Sequence, residues 1–194
     1  MRARSHISRA AIVQGALALW RTKGFAGTTV TDICKAAGVS KALFYVYFAR
    51  REDVLMEIEV FTMRDAHSAA ETLAARPYEL VDLIEAVIDV LEQGMRRYPP
   101  DLVFEAVIES YRIERRALAA GATDADLSFL FLQPFQQAHR DGKLPADLDI
   151  IQAARTAQIL VGDGIRSWAA RNCDRPLAAP LAAEVAVLIL GHRP

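Results

Sequence analysis

Ser40, Lys41, Tyr45 and Tyr47 set three hydroxyls and an ammonium along one short segment, with Thr29 and Thr31 just upstream and Arg51 just beyond. Such groups hydrogen-bond phosphate oxygens, and Lys41 adds a charge. Ala42, Leu43 and Val46 stand among them. Those apolar side chains can touch a thymine methyl in the major groove. The chemistry implied is recognition of double-stranded DNA. Ser40, Lys41, Tyr45 and Tyr47 would anchor to the backbone, and Thr31, Ala42, Leu43 and Val46 would face bases.

The surrounding residues supply a frame for that chemistry. Thr29 is a good N-cap, with Asp32 three residues later to complete a capping box. Ile33, Ala36 and Ala37 give this first helix a small apolar face, and Gly38 suits its end, where positive φ is usual. Val39 plugs the turn. Ser40 caps a second helix, expected over Lys41–Phe48. Helix N-termini at Thr29 and Ser40 favour anions. Before the pair, Ile12, Ala16, Leu19 and Trp20 recur at helical spacing, with Ser8 as the expected N-cap and Gly24 as the stop. Phe25 would pack beneath. The expectation is a three-helix unit containing a helix-turn-helix.

Charge divides the chain in the same place. Residues 1–50 hold eight Lys or Arg against Asp32 alone, a net +7; the whole chain is −1, so residues 51–194 carry −8. A basic head suits phosphate contact, and an acidic body would help orient the protein on DNA.

These residues closely resemble the TetR family of bacterial transcriptional regulators. The matching runs are Ile12–Phe25, Thr28–Lys41, Tyr45–Phe48 and Arg51–Leu55. The resemblance implies a homodimer, a helical ligand-binding domain and repression relieved by a small molecule. Three positions depart from the family pattern. Ala42 stands where glycine or proline is common, Leu43 where threonine is common, and Val46 where histidine or tryptophan is frequent. These departures bear on the operator sequence and not on DNA binding itself.

Composition agrees with an all-α protein: a helix-turn-helix domain over residues 1–50 and a helical ligand-binding and dimerisation domain over 51–194. Hydrophobic residues make up 53% of the 194 positions, without a strand-like alternation. No apolar run reaches the length of a membrane span, and the charged N-terminus lacks a signal-peptide core. Cys34 and Cys173 imply no disulfide framework, and Cys34 reads as a buried thiol. The expected place is the cytoplasm. An enzyme has little support: there is no phosphate loop, no metal-spaced histidine pair, no nucleophile elbow, and no cofactor motif. Glu105 and Glu109 lack an accompanying Glu-x-x-His and read as a solvated helix face.

Beyond residue 50 the helices expected are Arg51–Ala75, Tyr78–Arg97, Asp101–Ala120, a segment from a Thr123–Asp126 capping box to Arg140 with a kink at Pro134, Asp149–Ala170 and Ala178–Leu190. The last two are the expected dimer interface, through Ala157, Val161, Gly164, Leu181, Val185 and Leu188. A glycine inside a helix costs about 1 kcal/mol, which close approach of another helix or a ligand would offset at Gly162 and Gly164. An effector pocket is expected among Phe61, His67, Met95, Phe104, Glu105, Tyr111, Phe131, Phe135 and Trp168, for a mostly apolar ligand. An activator or a ligand-independent DNA-binding protein of the same fold stays open as an alternative.

Overall fold

The computed structural model describes residues 2–122 and 130–191, without the side chains of residues 2–7 and 58–63. The elements are all helical: α1 (Arg2–Lys23), α2 (Val30–Ala37), α3 (Lys41–Tyr47), a 3₁₀ turn (Arg51–Leu55), α4 (Met56–Ala74), α5 (Leu80–Met95), α6 (Pro100–Ala119), α7 (Leu132–Arg140), α8 (Ile150–Ala170) and α9 (Ala178–Leu190). Helix α1 begins at Arg2, so Ser8 lies inside it and does not cap it. The helix expected over Arg51–Ala75 is split, its first turn tightening into the 3₁₀ segment.

Helices α1–α3 enclose a small core of Ile12, Ala16, Trp20, Phe25, Ile33, Phe44 and Phe48. Val54 and Leu55, both 0% exposed, join this cluster from beyond residue 50, as does Leu102 of α6 at 1%. Cys34 is buried, and burial pushes its thiol pKa up, as suits an unreactive packing residue.

The body is built on α5, whose Leu80, Leu83, Ile84, Val87, Ile88 and Leu91 are all buried. That stripe packs against α4 and α9, while α6 and α7 lie against α8. Pro134 falls in the first turn of α7, where its missing N–H has no helical partner to lose, so it produces no kink. The Thr123–Asp126 capping box lies outside the described residues.

The interface expected on α8 and α9 is mostly this chain's own core. Ala157, Val161, Leu181 and Val185 are buried within one protomer. A Cβ on Gly164 would come within 2.6 Å of Leu181 Cδ2, and one on Gly162 within 2.5 Å of the Tyr111 hydroxyl. Both glycines therefore serve intramolecular approach. Of the six residues only Leu188 is largely exposed, at 59%.

A buried carboxylate fixes the α8–α9 connection. Glu92 Oε2 accepts from the N–H groups of Leu177 and Ala178, at 2.8 and 2.9 Å, and so satisfies orphan donors at the start of α9. Its other oxygen accepts from Arg96 at 2.6 Å. Arg96 also donates to the carbonyls of Cys173 and Arg175, and Trp168 Nε1 donates to the latter at 2.7 Å. Asn172 and Cys173 can then hold positive φ, 59° and 55°, within a loop pinned from both sides.

Burial raises the Glu92 pKa, but the backbone and Arg96 hydrogen bonds outweigh it and leave the group below the ordinary 4.5. Its contribution to stability is present above that value and disappears as pH falls through the lower folded-state pKa. Glu92→Ala should cost about 1–3 kcal/mol at neutral pH, because it leaves the two buried N–H groups of Leu177 and Ala178 without their acceptor. Urea midpoints measured from pH 7 to 3 should converge for the variant and the native chain; a parallel offset down to pH 3 would refute the assignment.

Candidate nucleic-acid interface and effector cavity

The helix-turn-helix is defined by short-range chemistry. Thr29 Oγ1 accepts from Asp32 N at 3.2 Å, and Asp32 Oδ2 accepts from Thr29 N at 3.0 Å. The Asp32 pKa is lowered, first by the Thr29 hydroxyl and then by its backbone N–H. Gly38 takes φ +65°; its N–H donates to Lys35 O and the Val39 N–H to Cys34 O, the paired bonds of a Schellman ending. Ser40 then caps α3 by accepting from Leu43 N at 3.1 Å. Phe48 closes α3 as its C-cap.

Phe44 and Phe48 turn inward, at 0% and 3% exposure, and this sets the opposite face outward. Ser40, Lys41, Ala42, Tyr45 and Val46 are exposed, with Tyr45 at 54% and Val46 at 73%. Leu43 and Tyr47 are half-buried beside them, as is Thr31 on α2; Thr29 is exposed. An exposed apolar side chain such as Val46, beside a tyrosine hydroxyl and a lysine, suits a groove lined by bases and flanked by phosphates.

Arg51 is spent differently. Its guanidinium donates to the carbonyls of Phe25 and Thr28, at 3.0 and 2.6 Å, and lies 4.1 Å from the Phe25 ring centroid. It ties the α1–α2 loop to the 3₁₀ turn and points away from the α3 surface chemistry. Arg9 is likewise engaged, paired with Glu57 of α4 at 2.5 Å.

Sequence reasoning missed the most buried charge. Glu109 on α6 is 1% exposed, not part of a solvated face. It accepts from Arg50 at 2.6 Å, Arg116 at 2.9 Å and Arg112 at 3.4 Å. Burial raises its pKa, and the three guanidiniums more than reverse that, so it stays ionised below the usual carboxylate range. Arg50 also pairs with Asp53 at 2.5 Å. A four-residue spacing from Glu105 gave no sign of this, because Arg50 is 59 residues away.

An apolar cavity of about 120 Å³ lies between α5, α6 and α8. Its walls include Leu91, Met95, Tyr98, Leu102, Val103, Ala106, Val107, Val161 and Ile165, with Ser110 and Gln158 as polar points. Leu102 is simultaneously in the head's core, and Tyr98 and Ala106 pack against that core. One layer of side chains thus separates the cavity from the head. Among the pocket residues expected from sequence, Met95 lines it. Phe131, Phe135 and Trp168 are buried core, and Phe104 packs partly buried against that core. Tyr111 covers Gly162 from outside and Glu105 is half-buried. His67 instead lines a wider groove of about 500 Å³ and mixed polarity between α4 and α7, where Glu71, Gln133, Gln137 and Arg140 stand beside Ala70, Ala74 and Leu83. The Phe61 side chain lies outside the described residues.

Residues 12–58 match the family model for bacterial regulatory proteins of the tetR family. The whole chain resembles Thermus thermophilus FadR, a TetR-family transcriptional repressor solved with lauroyl-CoA: 27% identity, TM-score 0.77, covering 96% of this chain and 95% of that one. The head carries the TetR-family helix-turn-helix, and the fold of the chain is that of a TetR-family transcriptional repressor. A Bacillus subtilis FadR solved with stearoyl-CoA shares the fold, at 18% identity and TM-score 0.63 over 95% of this chain and 99% of that one. The regulator EthR of Mycobacterium tuberculosis is 28% identical over 148 residues, 75% of this chain; the match spans 64% of EthR. No helix among the described residues is long and apolar enough to cross a membrane.

Arg51→Ala should destabilise the head by about 2 kcal/mol, the loss of charge-assisted bonds to two carbonyls. Thr29→Ala should cost about 1 kcal/mol through the lost cap. Melting curves test both. DNA affinity measured well below the melting temperature should barely change for Arg51→Ala; a tenfold loss there would return Arg51 to the DNA surface.

Proposed function

We propose that this protein is a dimeric transcriptional repressor that binds a two-fold symmetric operator through α3 and releases it when a small, apolar-tailed molecule enters the cavity between α5, α6 and α8. The observation that carries the reading is the position of that cavity, one side-chain layer from the core of the DNA-reading unit. Ser40, Lys41, Tyr45 and Tyr47 anchor to phosphates, and Thr31, Ala42, Leu43 and Val46 face bases. The likeness to the Thermus repressor makes a fatty-acyl thioester of coenzyme A the first effector class to test.

What the protomer leaves uncovered supports dimerisation. Ile159 on α8 and Val187 and Leu188 on α9 are 54%, 51% and 59% exposed. They lie outside the protomer's core, and a second α8–α9 pair would cover them. Two reading helices on one dimer also match half-sites about one helical turn apart. Leu188→Arg should therefore yield a folded monomer, whereas Val161→Arg should unfold the protein, because it buries an unpaired charge in the protomer. Sedimentation with circular dichroism separates the outcomes; a dimeric Leu188→Arg protein would move the interface elsewhere.

Operator selection from random duplexes, then titration across salt, tests the DNA half. Lys41→Ala should lower affinity and reduce the salt slope by about one per protomer, and Tyr45→Phe should cost roughly 1.5–3 kcal/mol. Unchanged affinity in both would displace α3 from the groove. Lauroyl-CoA titrated into the operator complex tests the effector half. It should weaken operator binding by about 5–150-fold, and operator DNA must weaken its binding by the same factor.

A further inference from the structure

Helix α6 has two working faces. One carries Val103, Val107 and Ser110 into the cavity. The other carries Glu109, buried, onto Arg50. Arg50 lies two residues past the C-cap of α3 and also binds Asp53 through its backbone N–H, at 2.9 Å. It therefore sits at the exit of the reading helix and answers to a carboxylate on the helix that walls the cavity.

Neither protomer stability nor DNA contact calls for this arrangement. Taking a carboxylate out of water is costly, and apolar side chains of similar size commonly serve stability as well or better. A charge-assisted bond differs from an apolar contact in being short and directional. Apolar contacts between helices tolerate sliding, but a 2.6 Å bond does not survive a shift of about 1–2 Å, a usual size for helix movement in switching proteins.

We propose that the Arg50–Glu109 ion pair is the link by which α6 reports occupancy of the cavity to the reading helix. With the cavity empty, Glu109 holds Arg50 and with it the end of α3. An occupant displaces α6 from α8 and carries Glu109 away from Arg50. Arg112 and Arg116 on α6 move with Glu109 and keep its charge paired, so the break with Arg50 does not strand a carboxylate. The link deepens the effector reading above and rests on it for the identity of the natural occupant, but not for its test.

Val107→Phe supplies a built-in occupant, with Ser110→Leu as a second filler. Operator affinity is measured for each filler in the otherwise native chain and in Glu109→Gln and Arg50→Gln backgrounds, each against its own unfilled parent. In the native background a filler should lower affinity about tenfold, inside the usual range of allosteric coupling. In either link-cut background that effect should drop below about threefold, a non-additivity that independent sites would not show. Using both backgrounds keeps the test valid if one variant does not fold. Hydrogen exchange over residues 41–55 should be faster in both link variants, with α5 and α9 unchanged. Filler effects of equal size with and without the link would overturn the proposal. So would folded fillers that leave operator affinity at the native value. Lauroyl-CoA titrated into the native complex judges the effector class separately: no response there discards that class and leaves the link to stand or fall on the fillers.

Discussion

Leu102 and Val103 are neighbours on α6 and belong to different cores. Leu102 is 1% exposed inside the head's cluster, and Val103 is 5% exposed inside the body's. Consecutive residues of a helix point about 100° apart, so one rod can present a side chain to each core at the same level. Protein cores are close-packed and respond to displacement by repacking or by moving their neighbours. The two units therefore cannot drift independently while α6 stays whole. The same helix and the turn before it meet the head elsewhere: Arg21 lies 5.6 Å from the Tyr98 ring centroid, and Asp101 reaches within 3.6 Å of where a Cβ on Gly24 would sit.

This join changes how the charge asymmetry should be read. A +7 head on a −8 body suggests that its eight basic residues are directed at DNA. Several are directed at the protein's own chain instead. Arg9 binds Glu57, Arg50 binds Asp53 and Glu109, and Arg21 lies over Tyr98. Opposite charge draws the head onto the body as well as toward phosphate, and an ion pair facing inward contributes little to counterion release. Lys35 and Lys41 are exposed, and the backbone N–H groups at the starts of α2 and α3 add directional donors that carry no formal charge. The salt slope of operator binding should be set by these fewer outward groups and not by the formal count.

The helix-turn-helix was legible in sequence because its signals are local. A threonine three residues before an aspartate, a glycine at the left-handed position and a serine before an amphipathic turn each specify geometry within four residues. With that frame in place, Phe44 and Phe48 fall inward and Tyr45 and Val46 outward. The body was legible as helices. Its surfaces were not. Apolar spacing says that a side chain will be covered, not whether by its own core, a ligand or a second chain. Ala157, Val161, Leu181 and Val185 had the pattern of an interface and are core, and Gly164 makes room for Leu181 of its own chain. Glu109 was the reverse case: its partner lies across a long sequence separation, so nothing near it marked it as buried.

The size of the cavity constrains how an occupant could act. An engineered cavity of about 150 Å³ binds benzene, so about 120 Å³ between α5, α6 and α8 is too little for a long acyl chain without movement. Such a chain would have to part α6 from α8 along the seam lined by Val107, Ser110 and Gly162. Each methylene taken from water returns about 0.8 kcal/mol. A chain of eight buried methylenes would thus offset roughly 6 kcal/mol of parted contacts, and one of three would offset roughly 2. Because an occupant shifts the equilibrium only by its differential affinity for the parted state, short chains should bind weakly and leave the operator occupied. Long ones should both bind and release it. The cavity would in that sense act as a length filter, and α6, which lines it, also reaches the head's core.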